Sequence, residues 1–135
     1  MPGEIAAQEV RSALDILTLL HSRLATTSVL FMVALGVWGL VSYARGGAVS
    51  SSFAGSLAIG QALVTVQVAA GVILAVSGAA QANPIHYLYG ITAILALPFA
   101  WSYLRDRNQR RALLIYSLVA LFLFGLAVRG ILTAP

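Results

Sequence analysis

Four long apolar stretches, at about residues 21–43, 57–78, 85–104 and 112–132, alternate with short polar segments along the 135-residue chain. Each is about the 20 residues that one helical crossing of a bilayer needs, so the pattern predicts an all-α, integral membrane four-helix bundle forming a single membrane domain over residues 1–135. Ahead of the first span, Glu4, Glu9, Arg11 and Asp15 are interspersed with Ile5, Val10, Leu14 and Leu17. That spacing leaves one apolar stripe on a helix, and predicts for residues 1–20 either an interfacial helix or an N-terminal extension of span one. Ala44-Arg45-Gly46-Gly47 should break the first span, with Ala48–Ser56 as a loop. In the second span Ser56, Gly60, Gln67, Gly71, Ala75 and Gly78 share a face of small or polar residues. Such a face lets backbones approach closely in lipid, which predicts a central helix. Asn83 and Pro84 should turn the chain into span three, and Pro98 should kink it.

Composition supports the membrane reading. Hydrophobic residues make up 60% of the chain and charged residues 9%, against about 25% charged in soluble domains. With no cysteine, disulfides, iron–sulfur clusters, thiolate zinc sites and covalent c-type haem attachment are excluded. All eight basic residues are arginine, and without a lysine amine no retinal or pyridoxal Schiff base can form. The net charge of +4 lies in loops and reports orientation rather than nucleic-acid binding. Arg45, Arg105, Arg107, Arg110 and Arg111 gather on one side, which the positive-inside rule assigns to the cytoplasm, with both termini on the non-cytoplasmic side. Trp38, Tyr43, Trp101, Tyr103 and Tyr116 then fall at the cytoplasmic helix ends and Tyr87 and Tyr89 at the outer edge, as an aromatic belt. The expected location is a bacterial or archaeal plasma membrane. The polar N-terminus is unlike a cleavable signal, and no processing is expected.

The only two histidines, His21 and His86, open spans one and three, which run in the same direction. They therefore lie on the same side of the membrane. His21 stands 24 residues before Arg45 and His86 19 before Arg105, a mismatch of about 7 Å at 1.5 Å per residue. On the face of His21 follow Ala25, Ser28 and Met32; on that of His86 follow Gly90, Ala93 and Leu97. The positions nearest each histidine are small, so a porphyrin edge has room between two axial imidazoles of a b-type haem. Arg129 near the top of span four, and less well Arg23, would meet the propionates. Gln67, deep in span two, needs a hydrogen-bond partner, either a neighbouring helix or the edge of a haem or a quinone carbonyl. Each histidine alone is equally an amphipathic residue at a helix end, and each arginine a snorkelling one.

Three segments, His21-Ser22-Arg23-Leu24-Ala25, the run Leu63 to Gly71 containing Gln67, and His86 at a helix start, resemble the four-helix haem-binding unit found twice in haem A synthases, and more loosely cytochrome b561-type bundles. The resemblance covers about half the chain and implies that His21 and His86 are the axial ligands of the haem iron. Haem A synthases carry a glutamate three residues before the first histidine, where this chain has Thr18, and they have two such units. The resemblance therefore implies a haem-binding scaffold and not the family's oxidation of a haem methyl group.

Two functions stay open: a small membrane cytochrome with one haem b, passing electrons to a protein partner, and a non-catalytic accessory subunit of a larger respiratory or photosynthetic complex in contact with membrane lipid. A proton-coupled transporter needs an intramembrane carboxylate, and there is no Asp or Glu between Leu17 and Leu104.

Overall fold

The computed structural model describes all 135 residues and contains four helices, α1 (Pro2–Ala44), α2 (Ser51–Val76), α3 (Pro84–Leu104) and α4 (Gln109–Leu132). Each is long and apolar enough to cross a membrane. Only 21 residues are buried, while Leu30, Ile59, Leu95, Phe99 and Leu118 stand on the outside. An exterior this apolar is satisfied by lipid rather than water, so the protein is an integral membrane four-helix bundle.

The boundaries follow from local chemistry. Pro2 and Pro84 occupy first-turn positions, where a missing N–H costs nothing. Asn83 and Asn108 cap α3 and α4, their side-chain oxygens accepting from Ile85 N and from Arg110 N and Arg111 N. Ser50 caps α2 by accepting from Phe53 N at 3.1 Å, so this helix starts six residues before the expected position 57, and the serines assigned to a loop form its first turns. Gly46 and Gly78 take positive φ, 87° and 75°, a conformation that glycine adopts at no steric cost. Residues 2–20 are a continuous extension of α1 rather than a separate interfacial helix, and none of them is buried.

Around the bundle the order is α1, α2, α3, α4, with α1 and α3 on one diagonal and α2 and α4 on the other. The most extensive contact is between α1 and α4, and the least is between α2 and α3. α2 is therefore not the central helix that its small-residue face suggested; that face serves one neighbour, with Gly60 against Met32 and Gly71 against His21. The closest approach is made instead by Gly36 and Gly39 of α1. A Cβ on Gly36 would lie 2.6 Å from Leu121, and one on Gly39 would collide with the Ser117 hydroxyl and come 2.9 Å from Phe53. The core gathers beside this seam, with Met32, Leu35, Leu113, Tyr116, Ala120 and Leu123. Tyr116 belongs to that core, 1% exposed, and not to an aromatic belt.

The two loops at one end of the bundle, α1–α2 and α3–α4, are tied together by α4. Arg110 donates to Tyr43 O (2.9 Å) and Gly47 O (3.1 Å) and lies 4.2 Å over the Tyr43 ring, and the Gln109 amide donates to the carbonyls of Leu104, Arg105 and Arg107. These contacts satisfy carbonyls that helix ends leave without partners. Part of the arginine loop is therefore a structural clamp.

Candidate functional site

At the opposite end the two histidines meet across the bundle diagonal. His21 comes from α1 and His86 from the first turn of α3, and their ring centroids are 6.3 Å apart with planes at 68°. The residues below His21, Ala25, Ser28 and Met32, are all buried, as the helical spacing requires. The register left the relative depth of the two rings open; their separation limits any offset along the bundle to at most 6.3 Å.

Each imidazole is held through Nδ1. His21 Nδ1 lies 2.9 Å from the backbone carbonyl of Gln67 on α2. A carbonyl only accepts, so Nδ1 carries a proton. His86 Nδ1 lies 3.1 Å from Thr133 Oγ1, at the C-terminal cap of α4. That hydroxyl already donates to Arg129 O at 2.9 Å, so towards His86 it accepts, and Nδ1 again carries the proton. In both rings Nδ1 is the hydrogen-bonded nitrogen, and Nε2 makes no hydrogen bond within the chain. An N–H tied to a carbonyl or hydroxyl, with the other nitrogen unprotonated, is the arrangement in which histidine serves as a metal ligand.

All four helices contribute to this level. α2 supplies the Gln67 carbonyl and Gly71, whose missing side chain lets His21 approach: a Cβ there would lie 3.0 Å from His21 Cε1. The Gln67 side chain is tied back to α1, accepting from buried Ser28 Oγ at 3.0 Å, which fixes the helix turn that presents the carbonyl. Gly90, one turn below His86, has only Val68 within reach of an added Cβ, at 3.9 Å, so it leaves space rather than filling it. Arg129 is exposed, and its carbonyl anchors Thr133. Arg23 is exposed too, and its carbonyl takes the Thr27 hydroxyl; it is not drawn into the site. Thr133 was missed from the sequence, and Gly71 was placed on the small-residue face of span two without a link to His21. Gly71 carried a signal, since it follows Gln67 by one turn on the same face; Thr133 carried none.

The donor set can be tested against a haem. No cluster of three or more His, Cys, Asp or Glu side chains exists, so a bare ion that needs four protein ligands is not served. A haem brings four equatorial nitrogens of its own and asks the protein for two axial ligands. Two metal–nitrogen bonds of about 2.0 Å each, with about 1.1 Å from each nitrogen to its ring centre, require centroids about 6 Å apart, close to the observed 6.3 Å. The residues present fit the group in number and in centroid spacing. No family model, curated protein or solved structure matches this chain.

Proposed function

We propose that this protein is a small membrane cytochrome, in which His21 and His86 are the axial ligands of one b-type haem near the end of the bundle that carries the α2–α3 turn. The observation that carries this reading is the pair of imidazoles 6.3 Å apart, each with its Nδ1 engaged on a different neighbouring helix and its Nε2 free. A bound haem would supply a one-electron couple. The chain's own part is to hold two imidazoles in fixed orientation: Gln67 O and Thr133 Oγ1 engage the Nδ1 atoms, Ser28 braces Gln67, and Gly71 and Gly90 keep bulk away. Arg129, exposed on the last turn of α4, is the side chain placed to meet a propionate. With a single histidine pair there is one centre, so electrons arrive from and leave to a protein partner. By the arginine distribution this end faces the non-cytoplasmic side.

A second reading, an accessory subunit of a larger membrane complex, draws on the N-terminal part of α1. Ile5, Ile16 and Leu19 are 59%, 67% and 57% exposed on a helix that no other part of the chain covers.

The test is an optical spectrum of the protein purified in mild detergent after expression with haem supplied, oxidised and then dithionite-reduced. Sharp α and Soret bands of a six-coordinate b haem, lost in both His21→Ala and His86→Ala, are expected. A spectrally blank wild-type protein would exclude the cytochrome and leave the subunit reading, to be pursued through what co-purifies.

A further inference from the structure

The arginine end of the bundle holds more positive charge than the chain itself answers. Arg110 is engaged by the carbonyls of Tyr43 and Gly47, and Arg105 lies 3.5 Å from Asp106, the only acid in the α3–α4 loop. Arg107 and Arg111 are exposed, and neither is in an ion pair. Arg111 also stands in the first turn of α4, which contains no acid. That end of a helix carries partial positive charge and favours an anion, so a cation there is unfavourable until a negative group comes beside it.

Below these two arginines the α3–α4 seam opens outwards as an apolar groove of about 570 Å³. The small Ala96 and Ala100 leave the space, between Phe99 and Tyr103 on α3 and Ile115 and Phe122 on α4. Phe99, Tyr103 and Phe122 are exposed, so the groove faces lipid. Its length from Ile91 to Tyr103 is about 18 Å at 1.5 Å per residue, close to the roughly 15 Å of one leaflet, half of a bilayer's hydrocarbon core. Both arginines stand at the same end of it, one beside each wall. Arg107 Cζ lies 4.7 Å over the Tyr103 ring, which holds its guanidinium at the mouth. Arg111 precedes Ile115 by one turn, on the α4 face that continues through Val119 and Phe122 into the groove.

We propose that the α3–α4 groove binds an anionic phospholipid, with one acyl chain along the groove and the phosphate between Arg107 and Arg111. The apolar channel accounts for the chain and the two uncompensated cations for the charge. Every phospholipid carries the phosphate, so selection rests on the rest of the head. A choline would set a third cation beside two guanidiniums, whereas a glycerol head adds none and leaves the lipid with a net negative charge. The site does not depend on haem binding by the histidines.

The experiment is native mass spectrometry of the delipidated protein in detergent, titrated with dioleoyl-phosphatidylglycerol or with dioleoyl-phosphatidylcholine. The two lipids have the same chains, so the ratio of their affinities for the first bound lipid reads the head alone. A basic residue near the membrane surface is worth about fivefold towards an anionic lipid. A preference of about 25-fold for the glycerol lipid is therefore expected, falling to about fivefold in Arg107→Gln or Arg111→Gln and vanishing in the double variant. Arg45→Gln, an exposed arginine of the α1–α2 loop at the same end, should leave the preference unchanged, and glycerol 1-phosphate, a head without chains, should not displace the lipid at equal concentration. Equal binding of the two lipids would overturn the proposal. So would a preference that survives the double variant, one that falls as far in Arg45→Gln, or displacement by the soluble head, which would mean a phosphate site that makes no use of the groove.

Discussion

The α1–α4 and α2–α3 seams lie on opposite sides of one small bundle and are built on opposite plans. On the first, Gly36 and Gly39 bring α1 against Ser117 and Leu121 with no space for another carbon, and Ser117 spends its hydroxyl on its own helix, donating to Leu113 O at 2.6 Å. On the second, the helices are bridged by a single side-chain hydrogen bond, Gln61 to Ile94, beside a cavity. Apolar surface gains nothing by leaving lipid for another helix, so association in a membrane depends on close packing and on polar bridges. One seam uses packing and holds the bundle together; the other uses a bridge and leaves a cavity beside it.

The largest effect should come from filling the tight seam. Gly39→Leu is expected to cost about 3 kcal/mol or more, because the colliding atoms belong to the packed Ser117 and Phe53 side chains. The same change at Gly55 of α2, where an added Cβ meets nothing within 4 Å, should stay within about 0.5 kcal/mol. Unfolding in detergent followed by circular dichroism measures both, and similar losses at the two positions would erase the distinction between the seams.

Next in size is the bridge across the loose seam. Gln61→Leu should cost about 1–3 kcal/mol by stranding the Ile94 carbonyl. In a Pro98→Ala background the restored N–H can take that carbonyl within α3, so the cost of losing Gln61 should shrink. A double-mutant cycle reads the coupling, and additive effects would show that Gln61 is not there for the proline.

A smaller effect is expected at the histidine level, to which all four helices contribute. Thr133→Val removes the acceptor for His86 Nδ1 and should lower haem affinity about tenfold without abolishing it, as read by haem titration. An unchanged affinity would separate Thr133 from the site. The smallest effect is expected at Gly125 of α4, where nothing lies within 4 Å of an added Cβ. Gly125→Ala should be neutral or stabilising by up to about 1 kcal/mol through helix propensity.

How far these features were legible in the sequence depends on their range. The four spans follow from the length of the apolar stretches and the face below His21 from a period of 3.6 residues, and Ala25, Ser28 and Met32 are buried as that period requires. The start of α2 was misplaced because serines read as loop residues, although at a helix start they cap it or bond back to it; Ser56, for instance, donates to Ser52 O. Which helices pack on which is a non-local outcome, and the small face of α2 gave a misleading cue because Gly36 and Gly39 of α1 form a stronger one. Tyr116 lay near a helix end and so resembled a belt residue. Its burial depends on three neighbouring helices that the sequence does not place. The Gln67 carbonyl and Thr133 were beyond reach for the same reason: backbone acceptors and terminal hydroxyls carry no pattern until the bundle closes.

The length of α1 has a mechanical consequence. Its 43 residues make a rod of about 64 Å at 1.5 Å per residue, roughly twice the 30 Å of a bilayer's hydrocarbon core. The helix runs unbroken from Pro2 through His21 to Ala44, so about 28 Å of it projects past the histidine level as a stiff lever. A tilt of the bundle by about 10° would swing the tip by about 5 Å at that rise per residue. A small reorientation within the membrane is thereby turned into a displacement larger than a side chain at the far end of the rod.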